Sequence, residues 1–415
     1  MGAGSGGMSA NRLIIIGGGA AGLMAAAAAS ECRIPALLLE RRHRPGLKLL
    51  LCGNNRCNIS HDANAAQMLR DYGSPVGDFL RTAITAFPPE RLRAWFSQAG
   101  LPTIVKRERI YPRSENADDV LHCFLDLMRE RQLPYVLNCP VQSISSGDGL
   151  FTVTAENGLS FQAERVLLAT GGFSYPKTGS VGDGQRMAAE LRHTVVSPLP
   201  GLAGVDCDDP LFDLGEDDEI VDAAVTVISG GRAVAQTRGN ILCCGGVLRG
   251  TAIFDATRAI ARLKLDAFEL ELDFCPSMRT PPANLQRLPL PRELAARLAR
   301  LHVSVKAYPL RIEGIRPLKE AIVTVGGVSL QEINPDTMES KLVPGLYFAG
   351  EVMDIDGPTG GYNLHAAFAT ARLAIDSIAH GQRQRTRPQQ NNSRPATPQS
   401  PRARYADPRK SSRPW

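Results

Sequence analysis

The run Gly17-Gly18-Gly19-Ala20-Ala21-Gly22 limits the fold of this chain more than any other feature, because of what flanks it. A β-branched stretch (12–16) precedes it, an alanine-rich stretch follows, and a second apolar run, ALLLE (36–40), comes next. The order is strand, glycine turn, helix, strand, which is the dinucleotide-binding unit of an α/β, Rossmann-like domain. In that unit Gly17 permits the tight turn, Gly19 lets the backbone approach a pyrophosphate, and Gly22 lets the helix pack on its strand. The helix, opening at Ala20 and Ala21, presents unpaired N–H groups to the phosphates. Glu40 ends the second strand, where its carboxylate accepts from ribose hydroxyls, and Arg41 beside it joins the expected contact set.

The stretch 13–29 has a second reading, since it is uncharged, follows Arg12 and ends in small residues like a cleavable signal peptide. At 17 residues interrupted by glycines it is short for a membrane span, and secretion does not require its glycine register. The nine cysteines are an odd number without metal-site spacing, as expected of reduced thiols in a cytoplasmic protein, with no metal site and no membrane partner.

The fingerprint alone does not separate NAD from FAD, and two further motifs decide. RVLLATGG (165–172) reads as a buried strand running into Thr170-Gly171-Gly172, after a hairpin whose turn is Asn157-Gly158. GLYFAGE (345–351) is a strand ending in Gly350-Glu351, and Gly361, Tyr362 and Asn363 then lead into a helix over 364–378. Motifs near residues 17, 170 and 350 make the nucleotide domain discontinuous, with inserted lobes between its pieces. Val141 follows a strand expected at 135–138, where resemblance to known flavoproteins implies a backbone contact to adenine and a core valine is the alternative.

The three motifs resemble those of two-dinucleotide-binding-domain flavoproteins, the glutathione reductase-like superfamily. That resemblance implies bare backbone at Thr170 and Gly171 against FAD, and a ribityl bond from Glu351. It also sets the helix after Gly361, with Leu364, against the flavin pyrimidine edge, where the dipole favours reduced flavin. More narrowly, the chain resembles the bacterial BaiN/RdsA-type NAD(P)/FAD-dependent oxidoreductases. GGGAAGLMAA, KLLLCGNNRCNIS (48–60), ATGGFSYPKTGSVGDG (169–184) and TMESKLVPGLYFAGEVMDIDGPTGGYNLHAAFA (337–369) carry the match.

Activities assigned in that family include reduction of an unsaturated bile-acid intermediate and formation of dihydrouridine in ribosomal RNA; an amine oxidation serves as a family label. The resemblance implies non-covalent FAD with a helical and a β-rich insertion. The expected parts are a flexible N-terminus (1–11), FAD domain (12–62, 132–200 and 318–380), helical lobe (63–131), β-rich lobe (201–317) and disordered basic tail (381–415). The family's usual Ser-Gly-Gly-Gly-Arg-Cys-Asn is Cys52-Gly53-Asn54-Asn55-Arg56-Cys57-Asn58 here, and its Thr-His…Ser-Gly-Pro appears here in the stretch 243–251. Substrate identity is where these departures tell.

The expected chemistry is hydride transfer to the β-carbon of an electron-poor alkene, with Cys57 or Tyr175 protonating the α-carbon. Lys48 and Arg56, solvated on the bland reading, are expected to face pyrophosphate and flavin, with Cys57 and Asn58 beside them. Tyr111, Lys177 and Thr178 are further candidates for the substrate face, whereas His365 reads as structural. Cys52 and Cys57 form a CxxxxC near where glutathione reductase-like enzymes hold a redox disulfide, which is the rival mechanism. Neither a second GxGxxG nor a dimerisation domain supports it, so NAD(P)H is expected to dock transiently. The substrate is a small molecule or RNA. Residues 381–415 carry nine Lys or Arg and one Asp, leaving the other 380 residues at −3, and such a tail suits phosphate contacts.

Overall fold

The computed structural model describes residues 11–212 and 218–386. Strand β1 (Asn11–Ile16), helix α1 (Ala20–Glu31) and strand β2 (Ala36–Leu39) form the opening unit, and the chain returns to it twice, as β3 (Ser160–Leu168) and β4 (Leu346–Phe348). β1 lies between β2 and β3, and β4 lies against β3, all parallel. The run 13–29 is therefore a strand and a 12-residue helix broken by the glycine turn. Its helix is buried from Ala21 to Ala29, so alanine on every side is a packing requirement. Beyond β2 the sheet ends in Tyr135–Val136, two residues shorter than the expected strand, since Asn138 turns to positive φ. The hairpin Leu150–Ala155 to β3 turns at Gly158 as its Asn-Gly requires.

Two excursions leave this sheet. Between β2 and β3 lie six helices, ending in the 14-residue Ala117–Glu130, and a small sheet of Ser60–His61, Arg109–Pro112 and Thr103–Lys106. Between β3 and β4 the chain departs along Val195–Gly201 and comes back along Val323–Val328, an antiparallel ribbon. Outside the ribbon stands a seven-stranded antiparallel sheet, built around Glu219–Ser229 and Arg232–Cys244. Helix α2 (Thr251–Leu263) packs on that sheet and buries Ile253, Ala256 and Ile260 in a core of its own.

Helix α3 (Tyr362–Thr386) closes the fold against α1. It starts two residues before the expected helix and continues through the first six residues of the segment read as tail, because 379–386 holds no proline and the helix tolerates its single glycine, Gly381. The remaining tail residues, 387–415, and the N-terminal residues 1–10 lie outside the described residues. No helix among the described residues is long and apolar enough to cross a membrane.

Candidate active site

One cavity of about 430 Å³ gathers all three glycine motifs. At the first, a Cβ on Gly17 (φ +104°) would lie 2.5 Å from the Ala169 carbonyl oxygen, and one on Gly22 would lie 1.8 Å from that of Gly17. Gly19 has nothing within 4 Å of such a position, so its backbone opens onto the cavity. α1 begins there with no side-chain cap and no acid in its first turn. Its leading N–H groups are the donors a pyrophosphate needs. Gly22 itself does not line the cavity; it sets the helix against the turn.

Glu40 is buried on the cavity wall, with Oε2 accepting from Gly18 N at 2.6 Å and Oε1 from Arg42 N at 2.7 Å. Burial pushes its carboxyl above the usual carboxylate range, and those two bonds oppose the rise. Arg41 pairs with Asp183, and both line the cavity near Gly179. Val141 lines it as well, beside Cys139.

At the far end the wall is held by a pair that no local pattern announces. Lys48 Nζ donates to Glu351 Oε2 at 2.6 Å and to Ser174 Oγ at 2.6 Å. Glu351 Oε1 accepts from Thr324 N at 2.7 Å. The second motif supports this pair from behind: a Cβ on Gly172 would lie 2.4 Å from Thr324 Oγ1, so Gly172 is off the cavity while Thr170 and Gly171 are on it. At the third motif Gly350 approaches Ala21, and Gly361 (φ +102°) lies against Ser60, where a Cβ would come within 2.4 Å.

Gly361, Asn363 and Leu364 line the cavity, but Tyr362 does not. Its hydroxyl donates to Asp71 at 2.6 Å and its ring stacks on His61 at 4.9 Å, which is a packing role. His365 is buried between Ser60 Oγ (2.8 Å) and the Phe87 carbonyl (3.0 Å), and burial pushes its imidazole down to about 4.

Of the residues expected to do chemistry, Tyr175 lines the cavity in a left-handed conformation (φ 53°, ψ 58°) that a tyrosine adopts only when its surroundings impose it. Burial pushes its phenol up, and Arg249 opposes the rise. Cys57 is elsewhere than expected: it is fully buried and off the cavity, and Cys52 takes the place on the wall. The Cys57 thiol donates to Cys52, which, together with burial, pushes Cys57 well above the ordinary thiol range. Arg56 and Asn58 are on the wall, with the Arg56 guanidinium 5.4 Å over the ring of buried Tyr111. Thr178 also lines the cavity; exposed Lys177 does not.

Sequence reasoning passed over α2. Its Thr251 and Phe254 line the cavity, and the next residues fasten the segment that leads into α3. Asp255 accepts from Thr359 N at 2.7 Å and from its hydroxyl at 3.0 Å; Arg258 binds Asp356, and Arg262 binds Asp354 at 2.7 Å. Asp255, Arg258 and Arg262 recur at helical spacing on one face, and that periodicity was the available signal.

The residues suit FAD on two counts from the structure alone. Gly17, Gly19 and Gly361 leave a bare-backbone cradle, and Asn58 Oδ1 and Thr170 Oγ1 are buried without a hydrogen-bond partner on the same wall. Among the described residues no His, Cys, Asp and Glu cluster suits a metal ion.

Comparison with known proteins gives a consistent result. The family model for the HI0933-like protein Rossmann domain matches residues 11–377. The chain is 30% identical over 376 residues to the 3-dehydro-bile acid delta(4,6)-reductase of Clostridium scindens, covering 81% of this chain and 91% of that one. It is 27% identical over 373 residues to the ribosomal RNA dihydrouridine synthase of Escherichia coli, covering 83% and 92%. Among solved structures, the 3-ketosteroid-delta4-(5alpha)-dehydrogenase of Rhodococcus jostii superposes with a TM-score of 0.53 at 15% identity, over 90% of this chain and 98% of that one. That last likeness concerns the fold.

Proposed function

The chain belongs to the HI0933-like, BaiN/RdsA-type family of bacterial FAD-dependent oxidoreductases, and from that premise we propose that it reduces an activated carbon–carbon double bond in a small molecule. The carrying observation is that the cavity gathering the three nucleotide motifs is also lined by the apolar side chains of Leu202, Phe254, Ile322 and Pro358 and by Tyr175. The bile-acid reductase relative supports the same choice of reaction.

Gly17 to Ala21 and Glu40 hold the adenosine and pyrophosphate half of FAD, and Lys48, Asn58, Glu351 and Gly361 to Leu364 the flavin half. The bound flavin supplies hydride exchange. The protein's own residues do the rest. These apolar side chains exclude water and seat the substrate, the α3 N-terminus favours negative charge nearby, and Tyr175 protonates the substrate carbon next to its activating group. Cys57, behind the wall, has no path to that proton transfer. NAD(P)H is the donor in this reading and docks transiently; we place the enzyme in the cytoplasm.

The test is anaerobic. NAD(P)H should bleach the flavin of the purified protein, and a steroidal or cyclic enone should restore its colour while losing its double bond. A flavin that NAD(P)H reduces but that no enone reoxidises overturns this reading.

A second reading, dihydrouridine formation in ribosomal RNA, draws on the Escherichia coli relative and on the nine cations within 381–415. It requires that deleting the gene lower dihydrouridine in ribosomal RNA. Deleting 387–415 should then weaken RNA binding and flatten its salt dependence.

A further inference from the structure

We propose that Cys52 is a covalent-modification site inside the substrate cavity, a thiol that, once it has lost its proton to solvent, adds to soft electrophiles of the activated-alkene class. Three features of the geometry converge on it. Cys52 follows the short helix Leu47–Leu50 and lines the cavity half-buried, whereas Cys57 lies directly behind it with no exposed surface. The turn between them closes through Cys57 N to the Cys52 carbonyl at 2.9 Å, which aims both thiols inward from one loop. Asn58 is 7% exposed and lines the same cavity, and its Oδ1 has no partner, so this wall is built to meet a ligand.

The electrostatics act in the same direction. The Cys57 thiol donates to Cys52, and the Lys48 ammonium is close enough to favour negative charge there, so the Cys52 thiol is held below its ordinary range in spite of burial. Cys57 keeps its proton and serves as the donor. This division of labour makes a nucleophile of the cysteine that faces the cavity.

The step is an addition without change of redox state. Cys52 Sγ bonds the β-carbon, the carbon–carbon π bond breaks, and the α-carbon takes a proton from solvent or from Tyr175. The choice of alkene as electrophile rests on the proposed reduction; the reactivity of Cys52 does not. An acceptor held here faces two fates, reduction or capture.

The probe is N-ethylmaleimide, applied to the FAD-loaded enzyme under anaerobic conditions and without NAD(P)H, with peptide mass spectrometry as the readout. Cys52 should be labelled about tenfold faster than Cys32, which has a similar class of exposure, and Cys57 should stay unlabelled. Cys57→Ala should shift the pH midpoint of Cys52 labelling upward and slow it about tenfold at pH 7, while Cys57→Ser should keep part of the effect. Equal labelling of Cys52 and Cys32, or a Cys57→Ala variant with the wild-type pH profile, overturns the proposal. So does labelling that appears only after treatment with a dithiol, which would mean a Cys52–Cys57 disulfide at rest. Labelling as expected in an enzyme that reduces no enone would leave this proposal standing and remove the reductase reading.

Discussion

Two turns in this molecule use the left-handed region of backbone space for opposite reasons. In the phosphate turn, Gly17 is required by space as well as by φ, and Gly22, just inside α1, by space alone, since a Cβ at either would collide with backbone oxygen. In the turn after Cys52, positive φ recurs at Gly53, Asn54, Asn55 and Cys57, but Asn54 and Asn55 are exposed. There conformation is the whole requirement, and asparagine is the residue that meets it best after glycine. Asparagine at positions 54 and 55 thus meets the conformational demand that the family's glycines would meet. A glycine fixed by a neighbour cannot drift; one fixed only by φ can.

The sharpest way to break this contrast is Gly22→Ala. With a carbonyl oxygen 1.8 Å from the new Cβ, α1 must leave the sheet, so we expect insoluble protein or protein without FAD, judged from the flavin-to-protein absorbance ratio. Soluble, yellow Gly22→Ala protein would show that the turn gives way.

The second turn is anchored downstream through Ser60, which His365 holds. The imidazole is pushed down to about 4, below its ordinary 6.5, so its contribution to stability is complete above pH 6.5 and disappears as pH falls towards 4. That contribution is about 3 kcal/mol. Urea midpoints should fall over that window, and His365→Gln, whose amide offers one donor and one acceptor, should lessen the fall. An unaltered pH profile in the variant would mean that other groups set it.

Smaller effects are expected at the cofactor. Glu40→Gln should weaken FAD binding about tenfold, because a neutral amide accepts more weakly than a carboxylate; unchanged affinity by fluorescence titration would confine Glu40 to bracing the turn through Gly18 and Arg42. The smallest effect belongs to the second turn. Asn55→Gly should change stability by no more than about 0.5 kcal/mol, whereas Asn55→Val should cost roughly 1–2 kcal/mol. Equal costs for both would mean that the Asn55 side chain matters beyond its φ.

The same contrast explains what could be read in advance. Gly17, Gly19, Gly22 and Glu40 are legible because strand, turn and helix fix their spacing within one βαβ unit. The strand into Thr170 and the one into Gly350 are legible because a buried parallel strand is an apolar run ending abruptly in glycine. Lys48 and Glu351 stand 303 residues apart, and nothing local marks either as the other's partner. The placement of Cys52 rather than Cys57 on the wall depends on successive left-handed residues, which reverse the direction a side chain points without altering the pattern of letters. Tyr362 looked like a contact because its neighbours are; the first turn of a helix points in several directions at once. The clamp made by Asp255, Arg258 and Arg262 was hidden because its partners at 354–359 belong to another lobe.

The central sheet sets β1, β3 and β4 side by side although they come from residues 11–16, 160–168 and 346–348. On a ribosome adding about 5–20 residues per second, roughly 17–70 s separate the emergence of the first strand from that of the last. Throughout that interval the nascent chain presents Leu13 to Ile16 and an almost wholly apolar α1 with no completed surface to cover them. The cavity for FAD stays incomplete until the segment from Gly350 to Leu364, which lines it, has been translated.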